Sequence, residues 1–275
     1  MYSIKRIPVF VFISVLVLFL LSACSSNLAN TNMNDNVILN KDGIKVTEVP
    51  ILNPVAKVNF EWLELTEQNA YSDNDVILSG VIQNVREVAI EYTFMDANVT
   101  DYIRLFDVSI NNIIYSSDSE LNRSNIITVG IPYSSYNTDI SLPLVEEGKE
   151  FLFFAMYASN IENDLLQLAG YVDLWITSPN KLLLEKLDGN YLSDEFFVSY
   201  SSSSVCLESI FDFTEESLKQ ENENNENSIL MEHFISKDYP DFDNLWRDLS
   251  KTYIIESNDL ETAINHRAMQ LKEGR

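Results

Sequence analysis

Along much of the chain, apolar and polar residues alternate with a period of two, the pattern of strands that bury one face. Between Tyr102 and Ile114, the residues Phe106, Val108 and Ile110 share one face, with Asp107, Ser109 and Asn111 on the other. Val76 to Ile82 is a mostly apolar, β-rich run with Gly80 inside it. A glycine within a strand marks a bulge or a sharp bend. Val85 to Phe94 continues as strand. Ile126 to Val129, the shorter Ile140 to Leu142 and the very apolar Phe151 to Tyr157 follow, separated by a polar loop at Ser116 to Asn125 and a turn at Glu146 to Glu150. Short strands joined by polar turns predict a small antiparallel barrel.

The flanks read differently. Val37 to Val58 is an extended segment with a hairpin about Lys41-Asp42-Gly43, and Pro50 and Pro54 limit its pairing. Phe60 to Gln68 and Ile161 to Leu168 are candidate short helices. Tyr171 to Thr177, Leu182 to Leu184, Tyr191 to Leu192 and Glu195 to Tyr200 read as further β structure, with a turn at Asp188-Gly189-Asn190. This material follows the barrel directly and is expected to pack on it. Beyond Ser204 the spacing turns helical. Leu207, Ile210, Phe211 and Leu218 share a face over Val205 to Gln220, as do Phe242, Leu245, Trp246 and Leu249 over Phe242 to Ile255. Ser257-Asn258-Asp259 offers caps for a last helix, Leu260 to Lys272, with Leu260, Ile264, Ala268 and Leu271 as its stripe. The expected fold is mainly β with a helical C-terminal part. Residues 37–204 form the β-rich domain, and residues 205–275 the helical segment.

The first residues are a different kind of pattern. Lys5 and Arg6 precede an apolar run from Ile7 to Leu21, which ends Leu21-Ser22-Ala23-Cys24. A basic start, a short apolar stretch and small residues before a cut are the parts of an export signal. The run is shorter than the ~20 residues a spanning helix needs. Leu21-Ser22-Ala23-Cys24 resembles the lipobox of bacterial lipoproteins. That resemblance implies a signal peptide at residues 1–23, cleavage before Cys24, and a diacylglyceryl anchor on its thiol. The rest of the chain would then lie on the extracytoplasmic face of the cell membrane. Residues 24–36 are polar and without periodicity, a flexible tether with an average reach of roughly 20 Å.

A second resemblance lies in the strands. Val76 to Ile82, Tyr102 to Ile110, Ile126 to Val129, and Leu144 through Gly148-Lys149 to Phe154 resemble the OB-like barrel of many Gram-positive lipoproteins. Those domains are similar in outline to the netrin and metalloproteinase-inhibitor barrel. Inhibitors of that fold act through the free amine of an N-terminal cysteine held by disulfides. Here that cysteine would carry lipid on a tether, so the inhibitory mechanism does not transfer.

Composition narrows the function classes. The 275 residues carry a net charge of −24. Loss of residues 1–23 removes Lys5 and Arg6 and no acid, and takes the charge to −26. Such acidity argues against nucleic acid, whose phosphates need basic patches. It also disfavours flat docking on anionic lipid. With Cys24 lipidated, Cys206 has no disulfide partner, and its apolar neighbours predict a buried structural thiol. No nucleophile elbow, phosphate loop or Cys-x-x-Cys pair is present, and seven glycines leave little room for glycine-built sites. His233 and His266 have no metal-ligand spacing.

The remaining candidates are surface features. Tyr133 and Tyr136 lie in Tyr133-Ser134-Ser135-Tyr136-Asn137, a composition favoured at binding surfaces, although both rings could instead close the barrel end. Asp238, Asp241, Asp243 and Asp248 surround Trp246, as an acidic hydrolase site or a solvated turn would. Asp73 with Asp75, or Asp238 with Asp241 and Asp243, would be the places for calcium, but neither has the loop pattern of a dedicated site. These features favour a non-catalytic binding module of the cell envelope, anchored through Cys24, with no cofactor and an envelope protein or polymer as partner. An acidic-residue envelope hydrolase and a cation-responsive module are the alternatives.

Overall fold

A computed structural model describes residues 37–41, 43–51, 66–118, 121, 126–132, 134, 145–160, 172–207 and 251–273. The fold is mainly β-sheet with one long C-terminal helix. Strands β1 (Val37–Lys41) and β2 (Ile44–Val49) form the hairpin expected about Lys41-Asp42-Gly43. A π-helical turn at Gln68–Ser72 leads into β3 (Val76–Phe94) and β4 (Ala97–Ser116). Then come β5 (Ile126–Ile131), β6 (Glu150–Tyr157) and β7 (Leu174–Trp175). Helix α1 (Pro179–Leu182), β8 (Leu183–Leu187), β9 (Asn190–Ser193) and α2 (Glu195–Val198) follow. Strands β10 (Val205–Cys206) and β11 (Tyr253–Glu256) precede α3 (Ser257–Glu273).

The pairings return to their start. β3 pairs with β4, β4 with β5, β5 with β7, β7 with β6, and β6 with β3 again. All are antiparallel except β5 with β7, where Val129 faces Leu174 and Gly130 faces Trp175. From β6 the sheet extends through β8, β9 and β11 to β10. At the other end β2 pairs with the far half of β3.

Two glycines make this arrangement possible. The register of β3 against β4 slips between Ser79 and Gly80, so the bulge read from the sequence is present. A Cβ at Gly80 would lie 2.6 Å from Val108 Cγ1 and 2.8 Å from the Ser109 carbonyl oxygen. A Cβ at Gly130 would lie 2.6 Å from the Trp175 ring, so glycine is what lets β7 lie beside β5.

The main core lies against this set of strands. Phe106, Val108 and Ile110 point into it as the alternation requires, joined by Ile77, Leu78, Phe151, Phe153 and Phe154. Leu152 and Ala155 are buried as well, so β6 is covered on both faces. That explains its unbroken apolar run, since a strand covered twice has no polar side. Helix α3 supplies Leu260, Ile264 and Ala268, all fully buried, with Leu271 packed beside them. The stripe expected from the sequence is the stripe that packs. The Glu261 carboxylate ties the helix down, accepting from Asn112 Nδ2 at 2.8 Å and from the Tyr191 hydroxyl at 2.7 Å.

Three local expectations need correction. Glu195–Val198 is helical, not strand, because the Asp194 carboxylate caps it by accepting from Phe196 N at 3.0 Å. The helical turn brings Phe197 against Phe154, with Phe196 and Tyr200 beside it. Tyr253–Glu256, expected as the end of a helix, is β11, because the open edge of β9 offers it a ladder of four residue pairs. Val205–Cys206, at the head of a stretch with helical spacing, is strand and pairs with β11. Helical spacing in a short apolar run does not prevent strand formation where an edge is available. The expected strand at Ile140 to Leu142, the helix at Ile161 to Leu168 and most of the C-terminal helices before Tyr253 lie outside the described residues.

Candidate functional site

The feature that sets this molecule apart is the length of β3 and β4, 19 and 20 residues. Their near halves belong to the closed series of pairings. Their far halves continue as an arm, in unbroken register from Val85 opposite Phe106 to Phe94 opposite Ala97. β2 flanks the β3 side of the arm from Glu87 to Glu91, and β1 flanks β2.

One face of the arm is apolar. Val88, Ile90, Ile103 and Leu105 meet Val46, Ala158, Val172 and Trp175 in a second, smaller core. The other face is ionic. Glu87 is fully buried and accepts from Arg104 Nε at 2.9 Å and Nη2 at 2.7 Å. Lys45 lies 3.5 Å from Glu91.

The apolar stripe outruns the core it serves. Along β3 it passes from Val88 at 0% exposure and Ile90 at 2% through half-buried Tyr92 to Phe94 at 57%. Met95, at the tip, is 85% exposed. Met95 and Asp96 turn the chain with φ of 46° and 64°. Left-handed backbone is costly for a residue with a Cβ, and hairpin turns of this kind favour Asn-Gly. The Tyr92 hydroxyl donates to Asp101 Oδ2 at 2.7 Å across the arm, and that bond holds the phenol above its usual range. The sequence reading missed Phe94 and Met95. Their signal was an alternation, Val88, Ile90, Tyr92, Phe94, that runs to the turn without a polar break, and a methionine in the turn itself.

The other charged clusters are structural ties. Asp75 accepts from Tyr157 N at 3.1 Å and Asn160 Nδ2 at 2.8 Å, joining the start of β3 to the end of β6. Of the two calcium candidates there, Asp73 is exposed and Asp75 is engaged in this way. Among the described residues, no group of three or more His, Cys, Asp or Glu could hold a metal ion. Asp107 accepts from Arg86 Nη2 at 2.6 Å and Asn84 Nδ2 at 3.1 Å. Glu67 accepts from Arg267 Nη2 and from the Tyr200 hydroxyl at 2.9 Å, linking the π-helical turn, the α2 region and α3. Desolvation and the bond to Glu67 push the Tyr200 phenol up to about 12. Asp259 Oδ2 accepts from the Ser201 hydroxyl at 2.6 Å, the Ser203 hydroxyl at 2.9 Å and the N–H groups of Ser202 and Ser203. These donors hold its carboxyl down to about 2.

The residues singled out from sequence are placed as follows. Cys24, Tyr133, Tyr136, and the acidic group of Asp238, Asp241, Asp243 and Asp248 with Trp246 all lie outside the described residues. Cys206 is half-buried in β10. Compared with protein families, with curated proteins and with solved structures, the chain matches none.

Proposed function

We propose that this chain is a lipid-anchored protein of the extracytoplasmic membrane face, and that it acts as a non-catalytic binding module. The anchor is Cys24, on the strength of Leu21-Ser22-Ala23-Cys24 and the basic and apolar residues before it. The body is a small OB-like barrel. In support, β3, β4, β5, β7 and β6 pair in a closed cycle, and the one parallel contact joins β5 to β7. Closure removes edges, so such a body presents few free strand groups of its own.

The observation that carries the binding reading is the overhang of Phe94 and Met95 beyond the small core. Large apolar groups at a projecting tip, one of them (Met95) on left-handed backbone, are costly to keep without a contact to make. The charged clusters elsewhere among the described residues are tied to backbone or to opposite charge, as structural groups are.

The test places a photo-crosslinking residue at Met95 and, as a control, at Asp188 in the turn between β8 and β9, on intact cells. A discrete envelope component linked from position 95 and absent from position 188 is the expected result. Equal patterns from both positions overturn the reading. Cys24→Ser tests the anchor separately: labelled fatty acid should no longer enter the protein, and membrane retention should be lost. Retained label would contradict the assignment of Cys24.

A further inference from the structure

The arm has a second property that an exposed tip alone would not give. β5 begins to pair with β4 only at Arg104. From Ala97 to Asp101, β4 is paired with β3 on one side and has no strand partner on the other among the described residues. Which backbone groups face outward follows from the turn. Met95 and Asp96 form a two-residue turn, so Phe94 and Ala97 are a hydrogen-bonded pair directed inward. The direction alternates along the strand, so the N–H and C=O of Asn98 and Thr100 point outward. Both residues are exposed. Exposed edges in native sheets are blunted by lysine, proline, a bulge or an inward charge. Ala97 to Asp101 has no lysine or proline and its register is regular, and its one charge on the core-side face, Asp101, accepts from the Tyr92 hydroxyl.

The charges on the edge itself, Asp96 and Asp101, are both negative. Glu91 lies across the arm, and Lys45 is the base beside Glu91. A second copy of the chain is a poor occupant. A five-residue edge with a two-residue tip buries far less than the roughly 1,200 Å² a stable pair needs, and each copy carries −24. An anionic bilayer meets the same acids. An extended segment that carries both basic and apolar residues fits all three features. Its backbone would pair with Asn98 and Thr100, and on the face that Val99 and Asp101 share an apolar side chain would lie beside Val99 and a basic one two residues away would meet Asp101.

We propose that the free edge of β4 at residues 97–101 takes up a basic, extended peptide segment of another protein as an added strand. This deepens the binding reading above and rests on it. Main-chain hydrogen bonds supply the affinity in such additions, and alternate side chains supply the selectivity.

The experiment pans a phage-displayed library of random ten-residue peptides against the full chain held in detergent micelles. Enriched peptides should carry a basic and an apolar residue two positions apart, matching Asp101 and Val99 on one face of β4. Thr100→Pro removes one outward N–H while leaving the inward pairing to β3 intact, a substitution edge strands tolerate. It should weaken the enriched peptides at least tenfold with an unchanged Tm. Asp101→Lys provides a second variant in case Thr100→Pro fails to fold, and should weaken them several-fold. Bound peptide should slow hydrogen exchange at the amides of Asn98 and Thr100. Peptides without basic excess, peptides that bind both variants as well as the parent, or no enriched peptide would each overturn the proposal. So would a dimer of the chain that Thr100→Pro dissociates, or binding to anionic phosphatidylglycerol vesicles through the tip. A cross-link from position 95 that survives Thr100→Pro would leave the binding module standing and remove only the added strand.

Discussion

The turn at Asp188–Gly189 and the turn at Met95–Asp96 follow the same kind of path with different residues. Each is a two-residue hairpin turn with left-handed backbone at both central positions, φ of 50° and 79° in the first, 46° and 64° in the second. Asp-Gly is what that geometry favours. Met-Asp is not, and its methionine is largely exposed. The first turn closes a hairpin at the centre of the extended sheet, with β8 paired to β6 and β9 to β11. The second closes an arm that reaches past its own core. The difference separates a turn chosen for the hairpin from a turn that keeps an apolar group at a tip.

The comparison can be broken or sharpened by substitution, and the largest effects belong to the core. Phe153→Ala, at a fully buried position of β6, should cost about 3–5 kcal/mol in denaturant unfolding. A loss under 1 kcal/mol would mean that β6 is not covered as described. Gly130→Ala should cost about 1–3 kcal/mol, because the new methyl meets the Trp175 ring, and the near-ultraviolet signal of that tryptophan should change. Replacing the tip with the favoured pair, Met95→Asn with Asp96→Gly, should raise stability by about 1 kcal/mol while weakening the cross-link made from a photo-crosslinking residue placed at Phe94. Gly189→Ala should lower stability by about the same amount and leave that cross-link alone. A tip that gains nothing from Asn-Gly would end the contrast between the turns.

The smallest expected effect is one of pH. The Asp259 carboxyl is held down to about 2 by the serine donors, below its ordinary 3.8. A depressed folded value stabilises the fold above the unfolded value, and that contribution is lost as pH falls through the folded value. The difference in Tm between the parent and Asp259→Asn should therefore be constant above about pH 4 and shrink toward pH 2. A difference that stays constant down to pH 2 would show that the three serines do not hold the carboxylate.

Much of the fold was legible in local pattern. The bulge at Gly80, the face shared by Phe106, Val108 and Ile110, the turn at Asp188-Gly189-Asn190 and the stripe of α3 all follow from spacing within a few residues. Glu195–Val198 and Tyr253–Glu256 were not legible, since what decides them is distant. One is drawn helical by packing on Phe154, the other extended by the free edge of β9. The candidate site was harder still to read. Val88, Ile90, Tyr92 and Phe94 are equivalent positions of one alternation, and nothing local tells the buried members from the exposed one.

By itself, the sequence determined the acidity, the period of each long strand and the face each side chain would take. These depend on residue type and on a repeat of two or about four residues. The tertiary structure alone decided where burial stops. Val46, Ala158, Val172 and Trp175, brought together from remote parts of the chain, cover the arm through Ile90, with half-buried Tyr92 packed at the margin, and leave Phe94 outside. Backbone stereochemistry sets which way a residue points, but the reach of the surfaces opposite it sets whether water is excluded, and those surfaces are assembled only when the whole sheet forms.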